Sequence, residues 1–320
     1  MDHLVMFMLI LNFSGALFLS VTPERAMDQK KEAGKKCVPI IRRSVLSLEE
    51  YRFMYRGWRM RKLDTCGVQG VDHEHIIHGQ AAMRGAWPWQ TQVSVAKIIC
   101  GGVLIHQQWV LTAAHCLDKH RTMTVRISLG LTSPHGARDV TARQTIFHPG
   151  YDPNNLYIHD MALLRLWPPT EPNSYVYPAC LPPKNASKAY LSGPCYISGV
   201  GSTRGDTFVR PDKLQQLRVT TMPLKACAVV KGIPNASGKT FRPDPQRHIC
   251  LNFNATARSA GICSGDSGGP LSCKYQGHYF LMGVCHYSER GCGKIRFPDI
   301  FTKVTFYRDW IDKTINKFSL

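Results

Sequence analysis

The residues best suited to covalent chemistry lie in the segment CSGDSGGP, residues 263–270. Ser267 stands between glycines in a predicted tight turn, with Asp266 beside it. An ordinary serine hydroxyl is a weak nucleophile, so it needs a neighbouring base and N–H donors for the oxyanion that forms. Flanking glycines leave the backbone N–H groups accessible to a carbonyl oxygen. The segment therefore predicts a nucleophilic serine.

The order of residues along the chain shows where its partners lie. Gly-x-Ser-x-Gly also fits the nucleophile turn of α/β-hydrolases, in which an acid and then a histidine follow the serine. Here residues 268–285 contain neither Asp nor Glu, and only His278 and His286 follow Ser267. An alternating helix–strand pattern is also missing. The base and its carboxylate must therefore lie upstream.

Two upstream segments supply these groups. His115 lies in VLTAAHC, and Asp160 lies in HDMALLRL, just before an apolar run. Alone, a histidine beside a cysteine is usually structural, and an Asp before a strand is usually a solvated turn. Because His115, Asp160 and Ser267 each lie in a distinctive setting, their order predicts a general base, an orienting carboxylate and a nucleophile.

The elements that would position these residues are short β-strands. In TVRISLG, Val125, Ile127 and Leu129 alternate onto one face, and YFLMGVCHY is a continuous apolar run. Turn segments such as HPGYDPNN recur between the strands. Near the C-terminus, Tyr307, Ile311, Ile315 and Phe318 share one face of a predicted helix. The pattern predicts an antiparallel barrel or sandwich with a terminal helix.

The first 75 residues have a different character. Residues 4–21 form an apolar run that predicts a signal peptide over residues 1–21, with a signal anchor as the alternative. Residues 22–75 are basic and poor in glycine. Because the chain is expected to enter the secretory pathway, its 12 cysteines, none of them in a CxxC pair, favour disulfides over thiolate metal sites. The sequons at Asn185, Asn235 and Asn254 predict glycosylation and the same secreted, extracellular location.

The net charge is +18, mostly on residues 76–320. Such a charge favours contact with acidic polysaccharide, anionic membrane or nucleic acid, although a basic surface that only aids solubility is the alternative.

Together these segments resemble the chymotrypsin-like (trypsin-fold) serine proteases. The resemblance runs from residue 76 to the C-terminus and rests on IIHG, PWQ, CGGVLI, WVLTAAHC, DMALLRL, ACLPP, CYISGVG, CSGDSGGPL and YRDWIDKTI. It implies an all-β domain over residues 76–320, with two six-stranded antiparallel β-barrels and a C-terminal helix. This domain would follow the signal peptide and a pro-segment over residues 22–75.

The resemblance also implies the roles of individual residues. His115 would be the general base, Asp160 would orient it, and Ser267 would attack the peptide carbonyl. The backbone N–H groups of Gly265 and Ser267 would form the oxyanion hole. No cofactor is expected, and the segment LGLTSPHGARDV lacks the paired carboxylates of the family's calcium site.

In this family, activation follows a cut that frees an α-ammonium group. Here the cut would precede Ile76, and the new ammonium would pair with Asp266. The preceding residue is His75, where the family has Arg or Lys, so the activating protease is unknown and a permanently zymogen-like protein is the alternative. A metal site at His73, His75 and His78 would lack a carboxylate or thiolate framework, and we expect no metal.

The family pattern pairs ten cysteines. The implied disulfides are Cys66–Cys180, Cys100–Cys116, Cys195–Cys273, Cys227–Cys250 and Cys263–Cys292. Cys285, in an apolar strand, is expected to be a buried free thiol. Cys37 has no assigned partner.

The specificity pocket departs from the usual family pattern. The residues implied to bind substrate are Gly261, Ile262, His286, Ser288 and Asp299. Asp299 would attract a Lys or Arg side chain or pair internally, which predicts a weak preference for basic P1 residues. His286 replaces the usual serine beside Asp160, and its bulk could displace that carboxylate.

Two functions follow from these observations. The first is a secreted serine endopeptidase that acts on protein or peptide substrates. The alternative is an impaired homologue whose basic surface binds acidic glycosaminoglycan or another anionic surface. A nucleic-acid partner is not expected.

Overall fold

The computed structural model describes residues 66–70, 80–132, 136–155, 158–203, 209–230, 233–234, 240–252, 261–287 and 297–318. Several predicted features lie outside these ranges and stay predictions. They are the signal peptide, most of the pro-segment, residues 73, 75, 76 and 78, Cys37, Asn235, Asn254, Ser288 and Cys292.

The first half of the described chain forms a closed six-stranded barrel. Its strands are β2 (Gln90–Val95), β3 (Ile98–His106), β4 (Trp109–Thr112), β5 (Arg126–Leu129), β6 (Arg138–Phe147) and β7 (Ala162–Trp167). They close in the order β2-β3-β4-β7-β6-β5. Val125, Ile127 and Leu129 are buried and Arg126 is exposed, as the alternation predicts, but Ser128 on the opposite face is buried as well.

The second half, together with a short strand that precedes the barrel, forms a seven-stranded sheet. It contains β1 (Gln80–Ala81), β8 (Cys195–Gly199), β9 (Gln215–Val219), β12 (His248–Cys250), β13 (Pro270–Tyr275), β14 (His278–Tyr287) and β15 (Ile300–Lys303). The order is β1-β9-β8-β13-β14-β15-β12. A separate two-stranded sheet pairs β10 (Ile233–Pro234) with β11 (Thr240–Phe241).

This second sheet differs from the predicted closed six-stranded barrel. β1 adds a seventh strand by pairing with β9. The chain beyond β9 and the chain beyond β12 meet at an isolated bridge between Thr221 and Leu251. Hydrogen bonds from Met222 N to Cys250 O and from Asn252 N to Thr220 O, each 2.8 Å, flank that bridge. The six remaining strands therefore approach closure through a few bonds instead of a continuous ladder.

Buried hydrogen bonds connect the barrel to this sheet. The indole N–H of Trp89 donates to Ser272 Oγ at 3.0 Å, and Ser198 Oγ donates to Gln90 Oε1 at 2.7 Å. Because a buried polar group without a partner is costly, these contacts determine how the two halves pack.

Two α-helices lie in the described part of the chain, α1 (Leu224–Ala228) and α2 (Val304–Phe318). Of the residues predicted on the apolar face of α2, Tyr307 and Ile311 are buried, and Ile315 and Phe318 are partly buried against the same core. In the described residues, no helix is both long and apolar enough to cross a membrane.

Four disulfides of the predicted pattern are present: Cys66–Cys180, Cys100–Cys116, Cys195–Cys273 and Cys227–Cys250. Cys263 is also disulfide-bonded, and its predicted partner lies outside the described residues. Cys285 is free and buried, as expected.

Candidate active site

The three candidate catalytic residues lie at strand ends on both halves of the fold. His115 belongs to a 3₁₀ turn, Ala114–Cys116, shortly after β4, and the Cys100–Cys116 disulfide joins this turn to β3. Asp160 shortly precedes β7, and Ser267 precedes β13. Short polar segments at the ends of buried strands expose functional groups while the strands hold them in place.

A backbone hydrogen bond brings the turn that bears Ser267 close to the turn that bears His115. Gly101 N, on β3, donates a hydrogen bond of 2.7 Å to Ser267 O. The same carbonyl lies 3.8 Å from Sγ of Cys116, the residue that follows His115. The turn bearing Ser267 therefore lies directly against the strand and turn that position His115.

Asp160 holds His115 by two hydrogen bonds. His115 N donates to Asp160 Oδ1 at 2.8 Å, and His115 Nδ1 lies 2.6 Å from Asp160 Oδ2. Asp160 is 1% exposed. Because an ionised carboxylate only accepts hydrogen bonds, the proton of the histidine ring lies on Nδ1. This tautomer leaves the lone pair on Nε2, which is the arrangement that a general base requires.

The two partners shift each other's pKa in opposite directions. Burial alone would raise the pKa of Asp160, but the charge of His115 and the hydrogen bonds from His115 and His286 hold it well below its usual range. Burial alone would lower the pKa of His115, but the charge and hydrogen bond of Asp160, with the charge of Asp118, raise it overall. The geometry therefore favours a charged pair once His115 takes up a proton.

His286 lies beside Asp160, where the family pattern placed it. Sequence reasoning also placed it in the substrate pocket and allowed that it displaces Asp160. In the structure it is buried, and its Nδ1 lies 2.7 Å from Asp160 Oδ2. Asp160 nevertheless keeps both bonds to His115. His286 therefore acts on the carboxylate and is not among the residues that line the described cavity.

Sequence reasoning missed His248 altogether. This residue, on β12, stacks against His286 with ring centroids 5.4 Å apart. β12 and β14 are not neighbours, but both pair with β15, which places His248 and His286 on opposite sides of one strand. The two residues lie far apart along the chain, so no local pattern could have indicated this contact.

His115, Asp160 and His286 lie close enough together to be considered as a metal site. Donor atoms of His115, Asp160 and His286 lie within 4.8 Å of one another. Both ring Nδ1 atoms, however, carry the protons that they donate to the carboxylate. The set is therefore satisfied as a hydrogen-bond network. A second candidate set includes Cys100 and Cys116, whose disulfide leaves no thiolate to ligate.

The turn that bears Ser267 depends on glycine. Gly265 has a φ of 100° and Gly268 a φ of 82°, in the region that side chains with a Cβ rarely adopt. Gly268 N donates to Cys285 O at 2.8 Å, which fastens the loop to β14. These backbone conformations explain why glycine flanks the serine.

The carboxylate of Asp266 contacts residues of the second half of the fold. It accepts Gly201 N at 2.8 Å and Cys263 N at 3.0 Å. Burial raises the pKa of Asp266 to about 6, although the two backbone hydrogen bonds oppose this change. Gly199 is required here, because a Cβ on it would overlap Asp266 Oδ1.

A cavity of about 180 Å³ lies beside this carboxylate. Asp266, Gly199 and Gly201 line one part, and Ile197, Leu217 and Phe301 line an apolar part. A negative group next to an apolar wall suits a ligand that combines a positive charge with aliphatic carbon.

The predicted pocket residues Gly261 and Ile262 line the same cavity. Asp299, assigned to the opposite wall, accepts the backbone N–H of Ile262 at 3.3 Å. Of the two roles considered for Asp299, the internal contact is therefore present. The neighbouring thiol of Cys285 is fully buried, and burial, with the charges of nearby Asp residues, raises its pKa well above the usual value.

Comparison with known proteins agrees with this geometry. A family model described as Trypsin matches residues 76–311. This chain belongs to the trypsin family of serine proteases. The family resemblance inferred from the sequence is thereby confirmed.

Several members of the trypsin family are similar to the chain. Serine protease 56 of Mus musculus is 32% identical over 253 residues, which is 76% of this chain and 39% of that protein. Chymotrypsin-like elastase family member 1 is 34% identical over 251 residues in Macaca fascicularis and 35% identical over 253 residues in Canis lupus familiaris. Those matches cover 75% of this chain and 89% and 92% of the elastases. The chain thus spans about two fifths of serine protease 56.

Proposed function

We propose that this protein is a secreted serine endopeptidase in which His115, Asp160 and Ser267 form the catalytic triad. The observation that carries the proposal is the double hydrogen bond between His115 and the buried Asp160. It holds the ring in the tautomer that leaves Nε2 as a base, on a turn next to the backbone of Ser267.

In the proposed reaction, Ser267 Oγ attacks the peptide carbonyl carbon while its proton passes to His115 Nε2. The resulting imidazolium is stabilised by Asp160, in keeping with the raised pKa of His115. The backbone N–H groups of Gly265 and Ser267 bind the oxyanion. His115 then gives its proton to the leaving amine, and water hydrolyses the acyl-enzyme by the same sequence in reverse.

We also infer that the enzyme is made as a zymogen and is activated by a cut before Ile76. Support comes from the cavity beside Asp266, whose described hydrogen bonds both come from backbone N–H groups. An N-terminal isoleucine supplies the positive charge and the aliphatic side chain that this cavity suits. A buried carboxylate gains most from such a partner, so insertion would order the loop that bears Ser267.

The substrate would be a protein or peptide, with a weak preference for a basic P1 residue. Asp299 supplies the negative charge that Lys or Arg needs, but its carboxylate already accepts the N–H of Ile262. Part of the hydrogen-bonding capacity of Asp299 is therefore used within the protein, which supports only a weak preference for basic P1 residues. Ile262 is buried and narrows the same region.

Secretion is supported by the four described disulfides, which persist in oxidising compartments. Asn185 is exposed, as a glycosylation acceptor requires. The net charge of +18 supports contact with acidic glycosaminoglycan or another anionic surface, and it is also the basis for the alternative function as a binding protein.

The decisive experiment is a controlled cut. An enteropeptidase recognition sequence replaces residues 71–75, so that the new N-terminus is Ile76, and the protein is treated with a fluorophosphonate probe. We expect labelling only after the cut, and none in the matched Ser267→Ala protein. A correctly cut protein that stays unlabelled would contradict catalysis and favour the binding protein.

A further inference from the structure

A histidine, His286, stands beside Asp160 at the position where the family pattern has a serine. Asp160 accepts three N–H groups, of which two come from His115 and the third from His286. Nδ1 of His115 and Nδ1 of His286 lie 2.6 and 2.7 Å, respectively, from the same oxygen, Asp160 Oδ2. Because the carboxylate is ionised and can only accept, Nδ1 of His286 must carry a proton.

Aromatic neighbours keep the His286 ring oriented with its Nδ1 toward Asp160. The ring centroid of Phe241 lies 5.5 Å from that of His286, and the ring of His248 stacks on His286 at a centroid distance of 5.4 Å. Phe241 and His248 also contact each other edge-on, at 5.2 Å. Since the His286 side chain is only 3% exposed, its ring has little freedom to turn its Nδ1 away from Asp160.

The ring that stacks on His286 is uncharged. The groups that face His286, or lie just beyond its stacked neighbour, are Asp160, His115, His248, Asp244 and Arg247. His248 accepts Asp244 N at 2.9 Å through Nδ1, and burial lowers its pKa to about 3, so it stays neutral. The ring stacked on His286 therefore adds no charge near Asp160.

We propose that His286 is a positioning residue for the catalytic reaction, which donates the third hydrogen bond to Asp160 and fixes the plane of the carboxylate that orients His115. This inference rests on the proposed function. With Oδ1 bound to the backbone of His115 and Oδ2 shared by two rings, the carboxylate cannot rotate without breaking a bond. Removal of the third donor would leave it held from the His115 side alone.

Two substitutions of similar size separate hydrogen bonding from packing. His286→Asn keeps an amide N–H near the position of Nδ1, whereas His286→Leu fills the space without a donor. The loss of a hydrogen bond to a charged group predicts that kcat of the cut Leu variant falls about 10- to 100-fold, with KM changed less than about 2-fold. The Asn variant should retain most of kcat.

If His286 only fills space, the Leu variant should have the higher kcat, because leucine suits an apolar site better than asparagine. Equal or higher kcat in the Leu variant than in the Asn variant would therefore overturn the proposal. Thermal unfolding of both variants checks that each is folded.

A second readout does not depend on activity. In the Ser267→Ala protein labelled with ¹⁵N-histidine, NMR should show a proton on Nδ1 of both His115 and His286. The His115 Nδ1–H resonance should move in His286→Leu and stay close to its place in His286→Asn. An unprotonated Nδ1 on His286, or equal effects of the two variants, would refute the inference. If these signals are as expected but the cut protein does not react, the proposed function fails and the positioning of Asp160 stands.

Discussion

Asp266→Asn should stabilise the uncut protein while it abolishes activation. In the uncut chain Asp266 is partly buried, and the described hydrogen bonds of its carboxylate come from Gly201 and Cys263. These two backbone donors only partly offset the cost of burying a charge, which is why its pKa is raised to about 6. An amide at this position would remove that cost.

The magnitude follows from the pKa. A rise from 3.8 to about 6 corresponds to about 3 kcal/mol for keeping Asp266 ionised, at about 1.36 kcal/mol per pH unit. Asparagine keeps one acceptor oxygen, so one backbone N–H loses its partner at a cost of about 1 kcal/mol. We therefore expect Asp266→Asn to raise the free energy of unfolding of the uncut chain by about 1–3 kcal/mol at about pH 7.5.

The pH dependence has a defined sign. Between 3.8 and about 6 the folded state binds more protons than the unfolded state, so the stability of the wild-type uncut chain falls as the pH rises through this window. Below this window Asp266 is protonated in both the folded and the unfolded state, so the wild-type chain is no longer destabilised by the burial of a charge. The advantage of the Asn variant should therefore shrink when the pH falls to about 4.

A cut before Ile76 should reverse the effect. Once an ammonium group pairs with Asp266, the pKa of the carboxyl falls, and its contribution to stability is present at neutral pH and lost on acidification. Removal of one partner of a buried ion pair costs about 3–5 kcal/mol, so Asp266→Asn should now destabilise the protein.

Urea unfolding tests all three statements. The measurements use the Ser267→Ala background, cut and uncut, at about pH 4.5 and about pH 7.5. Asp212→Asn, a change at an exposed carboxylate, is the matched control. An uncut Asp266→Asn chain that is no more stable than wild type near pH 7.5, or a stability change of the same sign in cut and uncut protein, would refute the argument.

Two further predictions concern the same region. Gly199→Ala places a Cβ against Asp266 Oδ1, so the cut protein should lose most of its fluorophosphonate labelling while the uncut chain still unfolds cooperatively; full labelling would show that the carboxylate has room to move. Cys285, buried and with its pKa raised, should resist thiol reagents until the protein unfolds, and Cys285→Val should change the free energy of unfolding by less than about 1.5 kcal/mol. Rapid modification of the native thiol would contradict its burial.

Local sequence patterns were sufficient where the physical cause is local. Alternation in TVRISLG follows from the two-residue period of a strand, and it correctly indicated the buried face of β5. The glycines around Ser267 reflect backbone conformations with positive φ that the chain needs at that turn. The family motifs also indicated the cysteine pairing, and the four pairs whose cysteines both lie in the described residues are present.

Properties that depend on strand order could not be obtained this way. The sequence indicated that His286 departs from the family pattern, but not whether its ring would displace Asp160 or donate to it. That outcome depends on β15 pairing with both β14 and β12, which stacks His248 on His286 and directs Nδ1 at the carboxylate. The near-closure of the second sheet likewise depends on contacts between Thr221 and Leu251, thirty residues apart.

The sequence by itself thus determined the identity of the candidate catalytic groups, because their turns and strands are encoded by neighbouring residues. Only the tertiary structure decided how they interact, because burial, shared hydrogen bonds and the pKa of Asp266 arise from residues that meet through packing. The same histidine could have disrupted the site or supported it, and the geometry around Asp160 is what distinguishes the two.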